Sequence, residues 1–232
     1  MSRDDSGTHA PKQSSRGLWI AVFGPDGVGK SAAIDRLPEL LGGDFRGYDT
    51  FHFRANFGRR DGLPVIAPHA QKPRGLLVSV GKLLYWLLDS WLGHLLLVMP
   101  ALRRSHLVIF DRYLPDLLVD PVRYRLPASA KKMAAAAVRL APTPDLCILF
   151  DAPAEIVHQR KQELSRAELQ RQRNSYRKLF ESMPEAVVID ANRPIEEVSR
   201  HLAAAITSCL FPATSCPSPD REPSDREAGV PA

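Results

Sequence analysis

One eight-residue segment constrains the fold of this chain more than any other. It runs from Gly24 to Ser31, reads GPDGVGKS and matches the pattern G-x-x-x-x-G-K-[ST] in full. The apolar run LWIAVF, from Leu18 to Phe23, comes directly before it, and a helical pattern from Lys30 to about Leu41 follows it. A strand, a glycine-rich loop and a helix in this order form a phosphate-binding unit. The context therefore predicts an α/β fold around a P-loop.

The residue types of the loop indicate how it holds a polyphosphate. Glycines allow the backbone to wrap closely around phosphates and to point N–H groups at them. Lys30 supplies a positive charge for the β- and γ-phosphates, and the Ser31 hydroxyl can enter the shell of a Mg²⁺ ion. We therefore expect ATP and Mg²⁺ to bind here, through the loop and the start of its helix: Gly24, Pro25, Asp26, Gly27, Val28, Gly29, Lys30, Ser31 and Ala32.

Apolar runs alternate with helical patterns along the rest of the chain. Further strands are predicted at 48–53, 107–110, 146–150 and 186–189. Further helices are predicted at 76–99, 128–140 and 154–179. Such alternation is typical of a parallel sheet with helices on both faces, which binds ligands at the carboxyl ends of its strands. We expect one domain at 17–211 between disordered tails at 1–16 and 212–232.

The most apolar segment, Leu76 to Met99, is long enough to cross a bilayer. Lys82 and Asp89 lie inside it, and each would cost about 2.5–3.5 kcal/mol near the centre of a span. We therefore predict no transmembrane span. The pattern instead favours a helix that packs partly in the core and partly against a second subunit of a homodimer.

Charge and cysteine content indicate the compartment and the class of partner. The formal charge is +5, but the basic residues are spread along the chain, so we expect anionic small molecules rather than nucleic acid as partners. The three cysteines lack the paired spacing of a zinc site. They indicate reduced thiols in a cytoplasmic protein.

Two of the predicted strands lead into a carboxylate, at Asp111 and at Asp151. One carboxylate at a strand tip would face the metal of a P-loop, and the other would cap the helix that follows. We assign the metal to Asp111, together with Ser31, because Arg112 follows Asp111 and places a guanidinium where it can hold an anionic substrate.

A helical segment rich in arginine runs from Arg160 to Arg173. Mixed with Glu163 and Glu168, such a run is typical of a solvated face. An arginine on a closing lid is nevertheless the usual means of stabilising the charge that spreads over a moving phosphoryl group. We therefore expect one or two of these arginines to act.

Taken together, these segments resemble the thymidylate kinase family from Leu18 to Ile206. The matching pieces, in order, are the P-loop with its acidic Asp26, Asp111-Arg112-Tyr113, Asp151-Ala152-Pro153, Arg160, Val188-Ile189-Asp190-Ala191 and 194–198. The resemblance implies a three-layer P-loop NTPase fold with a five-stranded parallel sheet flanked by helices, and an arginine-bearing lid at about 160–175. It also implies a frequent homodimer and the phosphorylation of dTMP to dTDP by MgATP.

The resemblance also implies roles for single residues. Asp26 would contact the acceptor sugar or the attacking group, and Arg112 would grip the acceptor phosphate. Arg160 and a lid arginine, taken as Arg166, would approach the transferring phosphoryl group. We expect the acceptor site of this chain to consist of His52, Arg54, Arg112 and Tyr113.

The chain departs from the family where the base is recognised. Thymidylate kinases carry a Ser-x-x-Ala-Tyr-Gln stretch after the Asp-Arg-Tyr triplet, whereas residues 114–121 read LPDLLVDP. The segment from His52 to Pro73 is also unlike the usual acceptor site, and resembles thymidylate-kinase-like proteins of bacterial surface-glycan gene neighbourhoods. Two alternatives stay open: a kinase for a sugar or glycan hydroxyl, with Asp26 or Asp116 as base, and an ATP-dependent switch or scaffold.

Overall fold

A sheet of five parallel strands lies at the centre of the structure, a computed structural model that describes residues 16–53, 74–183 and 186–211. The strands are β1 (Leu18–Phe23), β2 (Gly47–His52), β3 (His106–Asp111), β4 (Leu146–Asp151) and β5 (Ala186–Asp190). Their order across the sheet is β2-β3-β1-β4-β5. The predicted α/β class and the five-stranded parallel sheet are confirmed, and each strand lies within one residue of its predicted bounds at either end.

Helices cover both faces of this sheet. They are α1 (Lys30–Ile34), α2 (Leu37–Leu40), α3 (Leu76–Gly93), α4 (Met99–Arg103), α5 (Asp116–Val119), α6 (Lys131–Leu140), α7 (Ala154–Arg160), α8 (Arg166–Glu181) and α9 (Ile195–Leu210). Helices α1 and α2 pack against α9, whereas α3 and α5 pack against α6. A three-layer arrangement results, as expected for a parallel sheet that is buried on both sides.

Strand β1 lies between β3 and β4, and all six of its residues are buried. Its side chains alternate between two cores. Leu18, Ile20 and Val22 belong to one, while Trp19, Ala21 and Phe23 belong to the other. The continuous apolar run is therefore explained by burial on both faces, and the P-loop leaves the sheet in the middle of its carboxyl edge.

The helix predicted at 30–41 is interrupted in the structure, which forms α1 and α2 instead. Pro38, at the start of α2, is the physical reason. It has no N–H to donate, and its ring would clash with the carbonyl four residues earlier if one helix continued.

The helical pattern at 154–179 is interrupted as well, at residues 161–165 between α7 and α8. Ser165 starts the second helix, since its Oγ accepts a hydrogen bond from the Glu168 N–H at 3.2 Å. This is the Ser-x-x-Glu spacing of an N-terminal cap. The predicted lid at 160–175 therefore corresponds to the end of α7, a short connection and the first turns of α8.

Among the described residues, one helix is long and apolar enough to cross a membrane, the 28 residues from Leu76 to Arg103. It comprises α3, a π-helical segment at His94–Val98 and α4. The two charged residues in its apolar part point into the protein: Lys82 lies 4.2 Å from the centre of the Trp86 ring, and Asp89 is 5% exposed. Length and composition alone are weak support for a span, and this inward placement favours a helix packed on the protein.

Candidate active site

The P-loop connects β1 to α1 through three glycines in left-handed backbone conformations, with φ of 136° at Gly24, 85° at Gly27 and 104° at Gly29. A Cβ at Gly24 would lie 2.8 Å from the Phe150 carbonyl oxygen, and one at Gly27 would lie 2.7 Å from Cβ of Lys161. Within the described chain, a Cβ at Gly29 would meet nothing within 4 Å. The first two glycines thus permit close packing, and the third supplies a left-handed backbone conformation that other residues rarely adopt.

Lys30 curls back over this loop and is buried. Its Nζ donates to the carbonyl oxygens of Gly24 at 2.9 Å and of Pro25 at 3.1 Å. Burial, followed by the nearby charge of Arg112, lowers the pKa of Lys30 to about 8. The ammonium group is therefore held where phosphate oxygens would replace neutral carbonyls as its partners, which fits a bound polyphosphate.

Asp111 reaches the loop because β3 pairs with β1, so that it lies opposite Val22. Its Oδ2 lies 3.5 Å from His52 Nδ1, while its buried Oδ1 has no hydrogen-bond partner among the described residues. Burial alone would raise the pKa of Asp111, but the hydrogen bond from His52 and the charge of Lys30 lower it. An ionised, buried oxygen without a protein partner suits the water shell of Mg²⁺, and Ser31 is exposed at the first turn of α1.

The residues present therefore fit a magnesium ion. In the three described ranges, no group of three or more His, Cys, Asp or Glu side chains could hold a metal by itself. Mg²⁺ is usually held by one or two carboxylates together with the phosphates of a substrate, and Asp111 and Ser31 would be its protein ligands here.

Asp151, the second carboxylate at a strand end, forms an ion pair with Arg173. Arg173 donates to both of its oxygens, from Nε at 2.6 Å and from the second terminal nitrogen at 2.8 Å. The alternative that Asp151 caps the following helix is wrong, because Pro153 is the N-cap of α7 and no side chain caps that helix. The ion pair instead joins the end of β4 to α8.

Arg112 lies at the centre of a buried ion-pair network and is 3% exposed. Its backbone has a left-handed φ of 73°, and its N–H donates to the Val22 carbonyl at 2.9 Å. One terminal nitrogen contacts Asp26 Oδ1 at 2.6 Å, and the other contacts Asp116 Oδ2 at 2.5 Å. The structure thus turns this residue inward, so the expected grip on an acceptor phosphate stays a prediction.

The two carboxylates of this network are both paired with side chains of the protein itself. Asp116 is 0% exposed and also accepts hydrogen bonds from the hydroxyls of Tyr176 at 2.7 Å and Tyr124 at 3.3 Å. Asp26 is paired with Arg112 and with Arg123. Although burial opposes it, these two guanidinium groups and Lys30 hold the pKa of Asp26 far below its usual range.

Tyr113, predicted to bind substrate, lies in the core instead. It is 3% exposed, its ring lies 5.5 Å from that of Trp19, and its hydroxyl donates to the Pro142 carbonyl at 3.0 Å. It also lines a mainly apolar cavity of about 350 Å³, whose walls include Cys147 and Met183 but no residue of the P-loop. The predicted substrate contact of Tyr113 is wrong for a local reason. Tyr113 follows the end of β3, and its large ring packs in the core that contains Trp19, Ala21 and Phe23.

The remaining predicted residues lie around the loop. His52 is exposed beside Asp111, while Arg54 lies outside the described residues, as does the rest of the 54–73 segment. Arg160 donates to the backbone carbonyls of Val28 at 3.3 Å and Ala191 at 3.1 Å, on the flank of the loop near β5. Arg166 is exposed at the first position of α8.

Sequence reasoning missed three polar residues of the site, namely Arg123, Tyr124 and Tyr176. For Tyr176 a signal exists, because the buried residues of α8 recur at helical spacing: Leu169, Gln172, Tyr176 and Phe180. That stripe shows that the arginine-rich segment has an inner face. For Arg123 no local pattern indicates a partner 97 residues away.

Comparison with curated proteins then gives the family. A probable thymidylate kinase from Archaeoglobus fulgidus is 30% identical over 203 residues, which cover 83% of this chain and 96% of the relative. The chain belongs to the thymidylate kinase family.

Other thymidylate kinases agree with this membership. The enzyme of Methylobacillus flagellatus is 31% identical over 205 residues, covering 81% of this chain and 95% of its own. That of Xanthomonas campestris pv. campestris is 28% identical over 205 residues, covering 84% of this chain and 85% of its own. No family model matches the chain. As a member of the thymidylate kinase family, the chain is a nucleotide-binding phosphotransferase, that is, a kinase.

The network around Arg112 gives a stability prediction. Replacement Arg112→Ala would leave Asp116 and one oxygen of Asp26 buried without their cation, which costs about 3–5 kcal/mol for a broken buried pair. Denaturant unfolding should show that loss, whereas Arg139→Ala, at an exposed end of α6, should change the unfolding free energy by less than about 0.5 kcal/mol. Equal stability of the two variants would contradict the assigned role of the network.

Proposed function

We propose that this chain transfers the γ-phosphoryl group of MgATP to a nucleoside monophosphate, with dTMP as the preferred acceptor. The names of the relatives support the substrate. The observation that carries the choice of acceptor class is that Asp26 and Asp116 are both tied to guanidinium groups. A phosphate monoester arrives already ionised, with a second pKa of about 6, so it needs no base, whereas a neutral hydroxyl has a proton to lose.

The reaction then depends on positioning and electrostatics. The loop N–H groups and Lys30 hold the β- and γ-phosphates of the donor, while Asp111 and Ser31 hold the metal. When bound, Mg²⁺ neutralises charge on the donor phosphates. Arg166, exposed at the start of α8, is the lid arginine that we propose to approach the moving phosphoryl group.

A second candidate acceptor is a sugar or glycan hydroxyl. It is favoured by residues 114–121, which replace the family's base-recognising stretch and supply Asp116 and Asp120. Both carboxylates accept hydrogen bonds from the protein itself. Asp116 accepts from the Arg112 guanidinium, and Asp120 accepts from the Gln172 side-chain amide at 3.1 Å. The segment thus serves the protein's own network, and the base that a hydroxyl acceptor would use is missing from it.

Product analysis tests this function. The full-length protein is incubated with MgATP alone, with each nucleoside monophosphate and with a panel of sugars, and ADP and phosphorylated acceptor are quantified by ion-exchange chromatography. We expect dTDP and ADP in equal amounts with dTMP. Lys30→Ala should lower the rate by about 10²–10³, while Lys132→Ala, on the exposed side of α6, should not.

Three results would contradict the proposed function. A phosphorylated sugar without dTDP would identify the second candidate. ADP and inorganic phosphate without any phosphorylated acceptor would identify a nucleotide-dependent switch. Normal turnover by Lys30→Ala would show that the P-loop lysine does not take part in the reaction.

We further propose that the protein forms a homodimer through the outer face of α3 and the π-helical segment. Five large apolar side chains on that face are each at least 45% exposed: Leu77, Leu84, Leu88, Trp91 and Leu95. With Gly81 they follow the alternating spacing of four and three residues that brings two helices together. Exposed apolar side chains that are contiguous on one face mark a surface that contacts a partner.

The dimer has a direct test. The double replacement Leu84→Glu/Leu88→Glu would bury charges at the seam, so sedimentation should show a monomer where the unmodified protein sediments as a dimer. Val188→Glu, at an exposed apolar position on β5, is the matched control and should remain dimeric. A monomeric unmodified protein, or a dimer that survives the double replacement, would disprove this interface.

A further inference from the structure

We propose that Arg123 binds the anionic group of the phosphoryl acceptor. The inference rests on the proposed function, since it assumes an acceptor that carries a phosphate. It names a residue outside the motifs that resemble the family, in the turn that follows the altered 114–121 segment. Arg123 would thus take up the role that the resemblance assigns to Arg112.

The first argument is availability. Arg112 is 3% exposed with ion pairs at both terminal nitrogens, and Arg173 is engaged by both oxygens of Asp151. The Arg123 side chain is 21% exposed. One terminal nitrogen donates to Asp26 Oδ2, and within the described ranges Nε and the other terminal nitrogen donate to no group. This open edge can bind two oxygens of one phosphate side by side.

The second argument is rigidity, because a guanidinium that is already ordered loses less entropy on binding. The Arg123 N–H donates to Asp120 Oδ1 at 3.2 Å, and the turn is closed by Leu126 N–H donating to the Pro121 carbonyl at 2.9 Å. The neighbouring Tyr124 ring stacks on Phe53 with centroids 4.7 Å apart. The backbone that carries Arg123 is therefore anchored on both sides.

The third argument is position. Arg160 contacts the loop on the flank near β5, at the carbonyls of Val28 and Ala191. Arg123 contacts it on the opposite flank, near the end of β3, through Asp26. Two nucleotides that meet at one P-loop must lie on different flanks. A phosphate on the open edge of Arg123 would lie next to the loop residue Asp26, which keeps the guanidinium oriented while the ligand binds.

The experiment compares the unmodified full-length protein with Arg123→Ala, Arg123→Lys and Arg139→Ala. Calorimetry measures the dissociation constants of dTMP and of inorganic phosphate, and steady-state kinetics measures KM for dTMP, KM for ATP and kcat. We expect Arg123→Ala to raise the dissociation constants and KM for dTMP about 10- to 100-fold, the range for a lost hydrogen bond to a charged group. KM for ATP and kcat at saturating dTMP should change little, Arg123→Lys should fall between, and Arg139→Ala should match the unmodified protein.

The dissociation constant of dTMP and kcat together distinguish a residue that binds the acceptor from one with a purely structural role. A residue that only positioned Asp26 would lower kcat and leave the dissociation constant of dTMP unchanged, and that result would overturn the inference. Unchanged binding in Arg123→Ala beside normal dTDP formation would overturn it while leaving the proposed function intact. If no nucleoside monophosphate is phosphorylated but phosphate binding is lost in Arg123→Ala, the proposed function fails and Arg123 stands as the anion-binding residue.

Discussion

The buried charge of Arg112 is the constraint on which the site depends. A guanidinium that is 3% exposed needs anionic partners, because an unpaired charge in the interior costs several kcal/mol. Its partners come from the P-loop, at Asp26, and from α5, at Asp116, while Tyr176 of α8 donates to Asp116 and accepts from Arg112. One side chain at the end of β3 thereby joins the P-loop, α5 and α8. The site exists as a unit only while these charges remain paired.

This arrangement divides the work of the site. The acids of the network pair with arginines. In the function that we propose, the acceptor brings its own negative charge as a phosphate and needs no base. Lys30, by contrast, donates to backbone carbonyls that a phosphate can replace, and Oδ1 of Asp111 has no partner among the described residues, so that it can accept from the water shell of a metal. The altered 114–121 segment then has a physical explanation. It supplies Asp116, which pairs with the Arg112 guanidinium, and Asp120, which accepts a hydrogen bond from the Arg123 backbone N–H. Under the proposed function, recognition of the acceptor would depend on charge more than on side-chain contacts with a base.

The sequence predicts what is local and fails where the outcome depends on distant partners. The strands and the P-loop follow from short patterns, and Asp111 reaches the loop as expected once β3 pairs with β1. The break at Pro38 and the cap at Ser165 are also local signals, and both are readable in the sequence. The Arg123–Asp26 pair is different, since it joins residues 97 positions apart and depends on how the 121–125 turn packs. Tyr113 shows the same limit, because its neighbour in the core, Trp19, belongs to β1, which is distant in sequence.

The central claim is that donor and acceptor phosphates bind together on the two flanks of one P-loop. The most direct measurement is the affinity for a single molecule in which adenosine and thymidine are joined 5′ to 5′ by five phosphates, compared with ATP and dTMP separately. Two linked groups that reach both sites should bind at least about 100-fold more tightly than the better of the two alone. An affinity no higher than that of ATP would show that the second flank does not receive a thymidine nucleotide and would contradict the account.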